Sequence, residues 1–443
     1  MSSDLPALPN GWIYAPLDTC SQKNSITYGV VQPGAALEDG KPLIRVNNFR
    51  DRHLDLSDVM YIAPEIESKY SRTRLCGGEV LLTVVGSVGQ VVVVPKQLAG
   101  FNVARAVAVI HPLPHIEPDW IAICLRSPLS QHLLGSRANT TVQTTINLKD
   151  VRALPIPIPP EAERRVIAEF VGALDDRITL LRETNATLEA IAQALFKSWF
   201  VDFEPVLAKM EGRAPVGMSE ATAALFPDGF EESALGLVPR GWRVGTLADL
   251  SDLNPESWTA RNQPAAIAYV DLANTKGNEI SLVTDFAFVD APSRARRVLR
   301  TGDTIVGTVR PGNRSFAFIH EPVSNLTGST GFAVLRPSAI ENTEFVFLAA
   351  TQEASIEHLA HVADGGAYPA VRPDVVAGLP CVVPNSAVMK ALHESAAPLL
   401  AKVSENQKQA QTLATLRDTL LPRLISGALR LPEVTVKLVE SAV

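Results

Sequence analysis

The rhythm of apolar and polar positions changes along this chain, and the same change occurs twice. From residue 1 to 159, runs of Val, Ile and Thr alternate with Gly and Pro, as in Gly78-Glu79-Val80-Leu81-Leu82-Thr83, the pattern of short strands joined by turns. Residues 160–204 contain almost no Gly or Pro and are rich in Leu, Ala and Glu, which predicts a long helix. After a linker at 205–234, a second β-rich domain is expected over 235–384, where Gly302-Asp303-Thr304-Ile305-Val306-Gly307 answers the first strand motif. A second long helix is expected over 385–430, followed by a tail at 431–443. The longest apolar stretch, Val80 to Val94, is broken by Gly86 and Gly89 and reads as strands, short of the roughly 18 apolar residues of a membrane span.

This recurrence is a tandem repeat in the residues themselves. Leu8-Pro9-Asn10-Gly11-Trp12 returns as Val238-Pro239-Arg240-Gly241-Trp242 at an offset of 230. Ala108-Val109 before Pro112 matches Ala333-Val334 before Pro337, and Leu154-Pro155 with Pro159 matches Leu379-Pro380 with Pro384, both at 225. The offset of 225 continues into the helices, pairing Leu174 with Leu399, Ile178 with Val403, Leu188 with Leu413 and Leu195 with Leu420.

Within the first helix, Ile167, Val171, Leu174, Ile178, Leu181, Asn185, Leu188, Ala192, Leu195 and Trp199 step by fours and threes, the a/d seam of a coiled coil. Leu392, Ala396, Leu399, Val403, Asn406, Ala410, Leu413, Arg417, Leu420 and Leu424 continue the pattern in the second, with Arg417 as one charged lapse. One such helix could equally lie on its own domain; two matching ones favour pairing with each other. Asn185 and Asn406 then read as register-setting polar residues. Antiparallel pairing needs no long return crossing and gives a rod of roughly 60 Å with one globule at each end. The expected fold class is α+β: two β-rich domains and two long antiparallel coiled-coil helices related by a pseudo-two-fold axis. Such symmetry suits a split DNA target with two half-sites.

Composition modifies this picture in two ways. Forty Lys+Arg against 47 Asp+Glu give a net charge of −7, which weighs against a surface coated in phosphate-binding charge. By segment the excess is +1 for 1–160, −7 for 161–234, −3 for 235–384 and +2 for 385–443, so both globules are near neutral and can each carry a basic face. The four cysteines, Cys20, Cys76, Cys124 and Cys381, lie singly and read as reduced core residues. No secretory signal pattern opens the sequence, and a cytoplasmic protein without membrane association is expected.

Candidate DNA-binding residues are Arg45, Asn47, Asn48, Arg50 and Arg52 in globule one, where guanidinium and amide groups mix at a strand end beside His53. Arginine can bind guanine O6 and N7, and asparagine adenine N6 and N7, in a major groove. In globule two the candidates are Arg294, Arg296 and Arg297, followed by Arg300, and Arg310 and Arg314 in the turn Arg310-Pro311-Gly312-Asn313-Arg314, where phosphate contacts are expected. A solvated charged face accounts for the same residues equally well.

Catalytic constellations are missing. Gly86-Ser87-Val88-Gly89 lacks the lysine of a phosphate loop, and Asn254-Pro255-Glu256-Ser257 departs from an adenine methyltransferase motif at its last two positions. His358 and His361 lack the glutamate of a zinc protease helix, and no nucleophile elbow occurs. A stand-alone methyltransferase or nuclease is disfavoured; no cofactor and no metal are expected.

The tandem plan, together with Pro157-Ile158-Pro159-Pro160-Glu161-Ala162-Glu163-Arg164-Arg165-Val166-Ile167, Leu174-Asp175-Asp176-Arg177-Ile178, Ala194-Leu195-Phe196-Lys197-Ser198-Trp199-Phe200-Val201-Asp202-Phe203 and Leu420-Leu421-Pro422-Arg423-Leu424-Ile425-Ser426-Gly427, resembles the DNA-specificity subunits of type I restriction-modification systems over essentially the whole chain. It departs from that family where the common Glu-Gln is Glu163-Arg164, and again at Val388-Met389-Lys390. The resemblance implies that each globule is a target recognition domain for one half of a bipartite double-stranded DNA site. It implies further that the helices are the spacer that docks methyltransferase subunits, expected as a pair, with motor-nuclease restriction subunits joining that core. The expected function is a noncatalytic specificity subunit; the alternative is a two-lobed protein-binding adaptor without direct DNA contact.

Overall fold

The computed structural model describes residues 5–50, 52–138, 144–363 and 369–431. The chain forms two compact units, one of Met1–Thr179 with Gln411–Val443 and the other of Leu180–Ala410. Each holds one β-rich globule and part of each long helix, so the compact units do not follow the sequence-order division into globule and helix.

In unit one a four-stranded antiparallel sheet runs in the order Thr27–Tyr28, Val107–Ile110, Val80–Thr83, Val91–Val93. Its strands are continuously apolar because both faces are covered. Val80, Leu82, Ala108 and Ile110 pack with Trp120, Ile121 and Leu125 of the helix Pro118–Arg126, while Leu81, Val107 and Val109 pack with Ile44, Leu75 and Val103 on the other side. Unit two repeats the arrangement: Ala333 and Leu335 face the helix Thr343–Thr351, and Phe332 and Val334 face Val270 and Leu299. Its central sheet is Ser251–Leu253, Phe332–Pro337, Thr304–Gly307, Phe316–Phe318, and a second carries Ala266–Val270 and Ala295–Val298.

The repeat also holds at the level of register. Ile13 pairs with Ile158 in the strand pair that closes globule one, and Arg243 with Val383 in the pair that closes globule two, at the sequence offsets of 230 and 225. Each Pro-x-Gly-Trp motif is a turn in which the Trp amide donates to the Pro carbonyl, at 3.1 Å for Trp12 and 3.0 Å for Trp242. Gly11 and Gly241 sit at φ 87° and 76°, the left-handed conformation such a turn requires. Both tryptophans are buried.

The long helices span Glu161–Phe200 and Ser386–Ile425, 40 residues each. Within unit one they run antiparallel: Arg417 donates to Asp175 at 2.7 Å, and Arg430, just beyond the second helix, lies 3.9 Å from Glu163. Within unit two, Asn406 donates to Asn185 Oδ1 at 2.9 Å and Asn185 to the Val403 carbonyl at 3.1 Å. Leu174, Ile178, Leu181, Asn185, Val403 and Asn406 are buried, and Leu188, Leu195, Leu399, Leu413 and Leu420 are half-buried. Leu400 and Leu421 are buried beside them because each helix also covers a globule, which widens the apolar stripe.

The end of each long helix is fixed by one of the repeated tryptophans. At the end of the first, Phe200 lies 5.8 Å from Trp242 and 5.1 Å from Phe345, and Trp199 meets Phe226 at 5.1 Å. Past the second, Gly427 adopts φ 68°, and a Cβ there would lie 2.4 Å from Pro9 Cγ and 3.5 Å from Trp12.

Three expectations are corrected. The segment 205–234 is not a bare linker: it contains the helices Glu204–Met210 and Glu220–Ala224 and a hairpin beginning at Phe230, and buries Val206 and Phe226 in the core of unit two. Cys76 is exposed in the turn before Val80, unlike buried Cys20, Cys124 and Cys381, whose thiols burial pushes up, to about 11 for Cys20 and about 12 for Cys381. Arg417 is no lapse in the seam but a buried ion-paired residue. Of the expected tail, residues 432–443 lie outside the described residues.

Replacing Gly427 with Ala is expected to destabilise the protein by about 2 kcal/mol, because the left-handed backbone and the Pro9 contact both oppose a side chain. Gly172→Ala, in open space on the first long helix, should instead stabilise by about 0.5–1 kcal/mol. Urea unfolding midpoints of the two variants test the opposite signs.

Candidate nucleic-acid interface

In unit one the strand Lys41–Ile44 leads into a turn that Asn48 clips from inside. The Arg45 amide donates to Asn48 Oδ1 at 2.8 Å, and Asn48 Nδ2 donates to the carbonyls of Asp55 and Asp58 at 3.0 Å each. Asn48 is 1% exposed, so this amide organises the loop and offers no free edge to a base. Arg45 and Asn47 converge on Asp58, at 3.0 and 3.1 Å to its carboxylate. Arg50 stands at the surface across a short hairpin from His53, 3.6 Å from Asp55, whose carboxyl is held below its ordinary value chiefly by the Ser57 hydroxyl. Exposed pairs of this kind are worth about 0–1 kcal/mol, so Arg50 can exchange its carboxylate for a phosphate at little cost.

Arg52 turns the other way. Its guanidinium donates to Asp175 and lies 3.7 Å from Asp418, while Arg126 stands 3.8 Å from Asp175. With Arg417 these residues form an ionic knot that ties the loop to both helices within unit one. Sequence reasoning placed Arg52 on the DNA face and missed Asp175, Arg126 and Asp418; the one available signal was a charge on the apolar seam at Arg417.

In unit two, Arg294, Arg296, Arg297 and Arg310 have no carboxylate partner among the described residues. Arg294 and Arg310 are exposed. Arg296 lies 5.0 Å over the Phe288 ring, which orients the guanidinium without neutralising it. Arg297 donates to Ser257 at 3.2 Å, its Nε is buried without a partner, and burial lowers its pKa. A β-bulge between Ala295 and Arg297 sets this part of the strand off the regular ladder. Arg300 is held by Glu256 at 2.9 Å and Arg314 by Glu353, both near the surface. Arg310 and Arg314 bracket the turn Pro311–Asn313 at φ 46° and 58°, following a strand of the other sheet of unit two.

The departure at Glu163-Arg164 has a local explanation. Arg164 is buried, ion-paired with Glu117 and bonded to the His115 carbonyl, while Glu163 accepts from Trp12 Nε1 at 3.3 Å. His358 and His361 are both exposed on the helix Glu353–Ala363. Among the described residues, no group of three or more His, Cys, Asp or Glu is placed to hold a metal ion, and no helix is long and apolar enough to cross a membrane.

Comparison with known proteins converges on one family. Residues 23–190 match the model of the type I restriction modification DNA specificity domain. Over 198 residues the chain is 31% identical to the type I restriction enzyme EcoBI specificity subunit of Escherichia coli, covering 42% of each chain. It is 24% identical over 448 residues to the type I restriction enzyme HindI specificity subunit of Haemophilus influenzae, covering 86% of this chain and 92% of that relative. The crystal structure of the type I restriction-modification S subunit from M. genitalium shares the fold, with a TM-score of 0.52 at 15% identity over 95% of this chain and 98% of that one.

The loop geometry separates two neighbouring asparagines. Asn48→Ala should cost about 2 kcal/mol by leaving buried backbone groups unpaired, whereas Asn47→Ala, at the surface, should cost less than about 0.5 kcal/mol. Thermal unfolding of both variants checks the difference.

Proposed function

We propose that this chain, similar over most of its length to type I restriction-modification specificity subunits, is the noncatalytic reader of a bipartite DNA sequence. One half-site is read by the globule of each unit. The observation that carries this reading is the duplication: the first globule, most of which falls in the match over residues 23–190, has a second copy, and the strand pairs that close the two globules share one register, Ile13 with Ile158 and Arg243 with Val383. Two copies of one reader in a single chain call for two targets in a single duplex.

The cations have different parts in this reading. In unit two, Arg294, Arg296 and Arg310, which have no acidic neighbour to displace, meet the duplex first. Arg297 keeps a guanidinium short of partners at a bulge beside them. In unit one Arg45, Asn47 and Arg50 occupy the surface of the loop that Asn48 clips, and exchange carboxylate contacts for contacts to DNA. Asn48 and Arg52 position that loop. The paired helices fix the spacing between half-sites and dock two methyltransferase subunits, which supply adenine methylation; motor-nuclease subunits complete the complex in the cytoplasm. The acidic excess over 161–234 lies where protein partners rather than phosphates are expected.

The test is binding of the purified chain with its methyltransferase partner to a bipartite duplex across a salt series. Replacing Arg294, Arg296 and Arg297 by Ala should weaken binding at least about tenfold and flatten the dependence of log K on log salt by roughly one to three. Unchanged affinity and slope would leave the protein-adaptor reading in its place.

A further inference from the structure

The two long helices are copies of each other in sequence, but their buried seam is not symmetric. At the offset of 225, Asp175 corresponds to Leu400 and Arg417 to Ala192. In unit one, Arg417 donates to Asp175 at 2.7 Å with its side chain 8% exposed. In unit two, Leu400 and Ala192 are 2% and 0% exposed and belong to one apolar cluster. A second polar pair breaks the symmetry independently. Asn185 and Asn406 bond to each other, 8% and 2% exposed, whereas their equivalents by the same offset are Ala410 and Leu181.

These residues meet only when the first helix lies against the second. In the antiparallel register, Asp175 faces Arg417 and Asn185 faces Asn406. Were the first helix to pair with its own copy from another chain, the same geometry would set Asp175 against Ala192 and Asn185 against Leu181. A pair of second helices would set Arg417 against Leu400 and Asn406 against Ala410. Each like-with-like pair therefore removes the cross-helix partner of Asp175 or Arg417, leaving only Arg52 and Arg126 for the one and Asp418 for the other, and sets an Asn side chain against an apolar one, while the leucines and alanines would be equally content in either arrangement. Burying unmatched polar groups is strongly unfavourable, and a specific interface is often built by making the wrong partner incur that penalty.

We infer that Asp175–Arg417 and Asn185–Asn406 form a matching code by which the first half of this chain accepts the second half and rejects a second copy of itself. The code has work to do during synthesis. The second helix begins 186 residues after the first ends, roughly 10–40 s of translation. In that interval the apolar seam of one nascent chain can meet only the same seam on a neighbour. Arg52 and Arg126 hold Asp175 from within the globule, so the site is set before Arg417 arrives.

The test uses the full chain with a specific protease site in place of the exposed residues 211–214. The protein is refolded from denaturant at rising concentration and cleaved after folding, and the resulting complexes are weighed by native mass spectrometry. The parent should give only first-half with second-half complexes. In the variant Asp175→Leu, Arg417→Ala, Asn185→Ala, Asn406→Leu, each seam residue becomes the one at its symmetry-related position. First-half pairs and second-half pairs should then rise at least about tenfold over the parent. If that variant folds, by circular dichroism, and still gives only mixed complexes, the code is refuted. Should it fail to fold, Asn185→Ala with Asn406→Leu leaves the ionic knot intact and decides in its place: a several-fold rise is expected, and a folded protein with none overturns the proposal.

Discussion

The antiparallel contact between two 40-residue helices is the constraint on which the rest of this structure depends. Each compact unit takes part of both helices, so neither unit can be assembled from one copy of the repeat alone. In unit one the contact is ionic where Asp175 meets Arg417; in unit two it is an amide pair at Asn185 and Asn406, with Leu400 and Ala192 beyond. The globules are attached to this seam by specific devices rather than by general stickiness. Arg52 reaches from the loop that Asn48 clips to Asp175, Gly427 lets the end of the second helix close on Pro9 and Trp12, and an aromatic cluster seats Phe200 against Trp242. Changes along the seam therefore act on the loops that it holds.

Much of this was legible in the residues, for physical reasons. The repeat is written in turn chemistry, Pro-x-Gly-Trp, and in strands whose two faces are both buried, so it survives as a pattern of Gly, Pro and β-branched residues. The helical seam is written in its period. What could not be read was which polar residues face inward. Asn48 looked like a base reader because its amide can serve one, but three bonds to its own loop use that amide. Arg417 looked like a flaw because its counter-charge lies 242 positions away, and Arg52 could not be told from Arg50 without knowing which one Asp175 attracts. The segment 205–234 reads as a linker because its apolar residues follow no single period, yet Val206 and Phe226 are core. Cys76 occupies a turn whose exposure no local pattern encodes.

The same distinction refines the electrostatic objection to DNA binding. A net charge of −7 describes the chain, whereas association with phosphate depends on which guanidinium groups are free. In the second globule Arg294, Arg296, Arg297 and Arg310 have no acidic partner among the described residues; in the first, Arg45 and Arg50 are paired with Asp58 and Asp55 near the surface. Near-neutral globules with a few uncompensated arginines suit selective rather than indiscriminate attachment.

The most direct measurement is a map of methylated adenines in the genome of a host that carries this chain with the methyltransferase subunit proposed as its partner as the only such system. The account predicts one sequence of two short specified halves divided by an unspecified gap of constant length, with substitutions at Arg294, Arg296 and Arg297 altering one half and leaving the other unchanged. A single uninterrupted recognition sequence, or substitutions in one globule that change both halves, would contradict it.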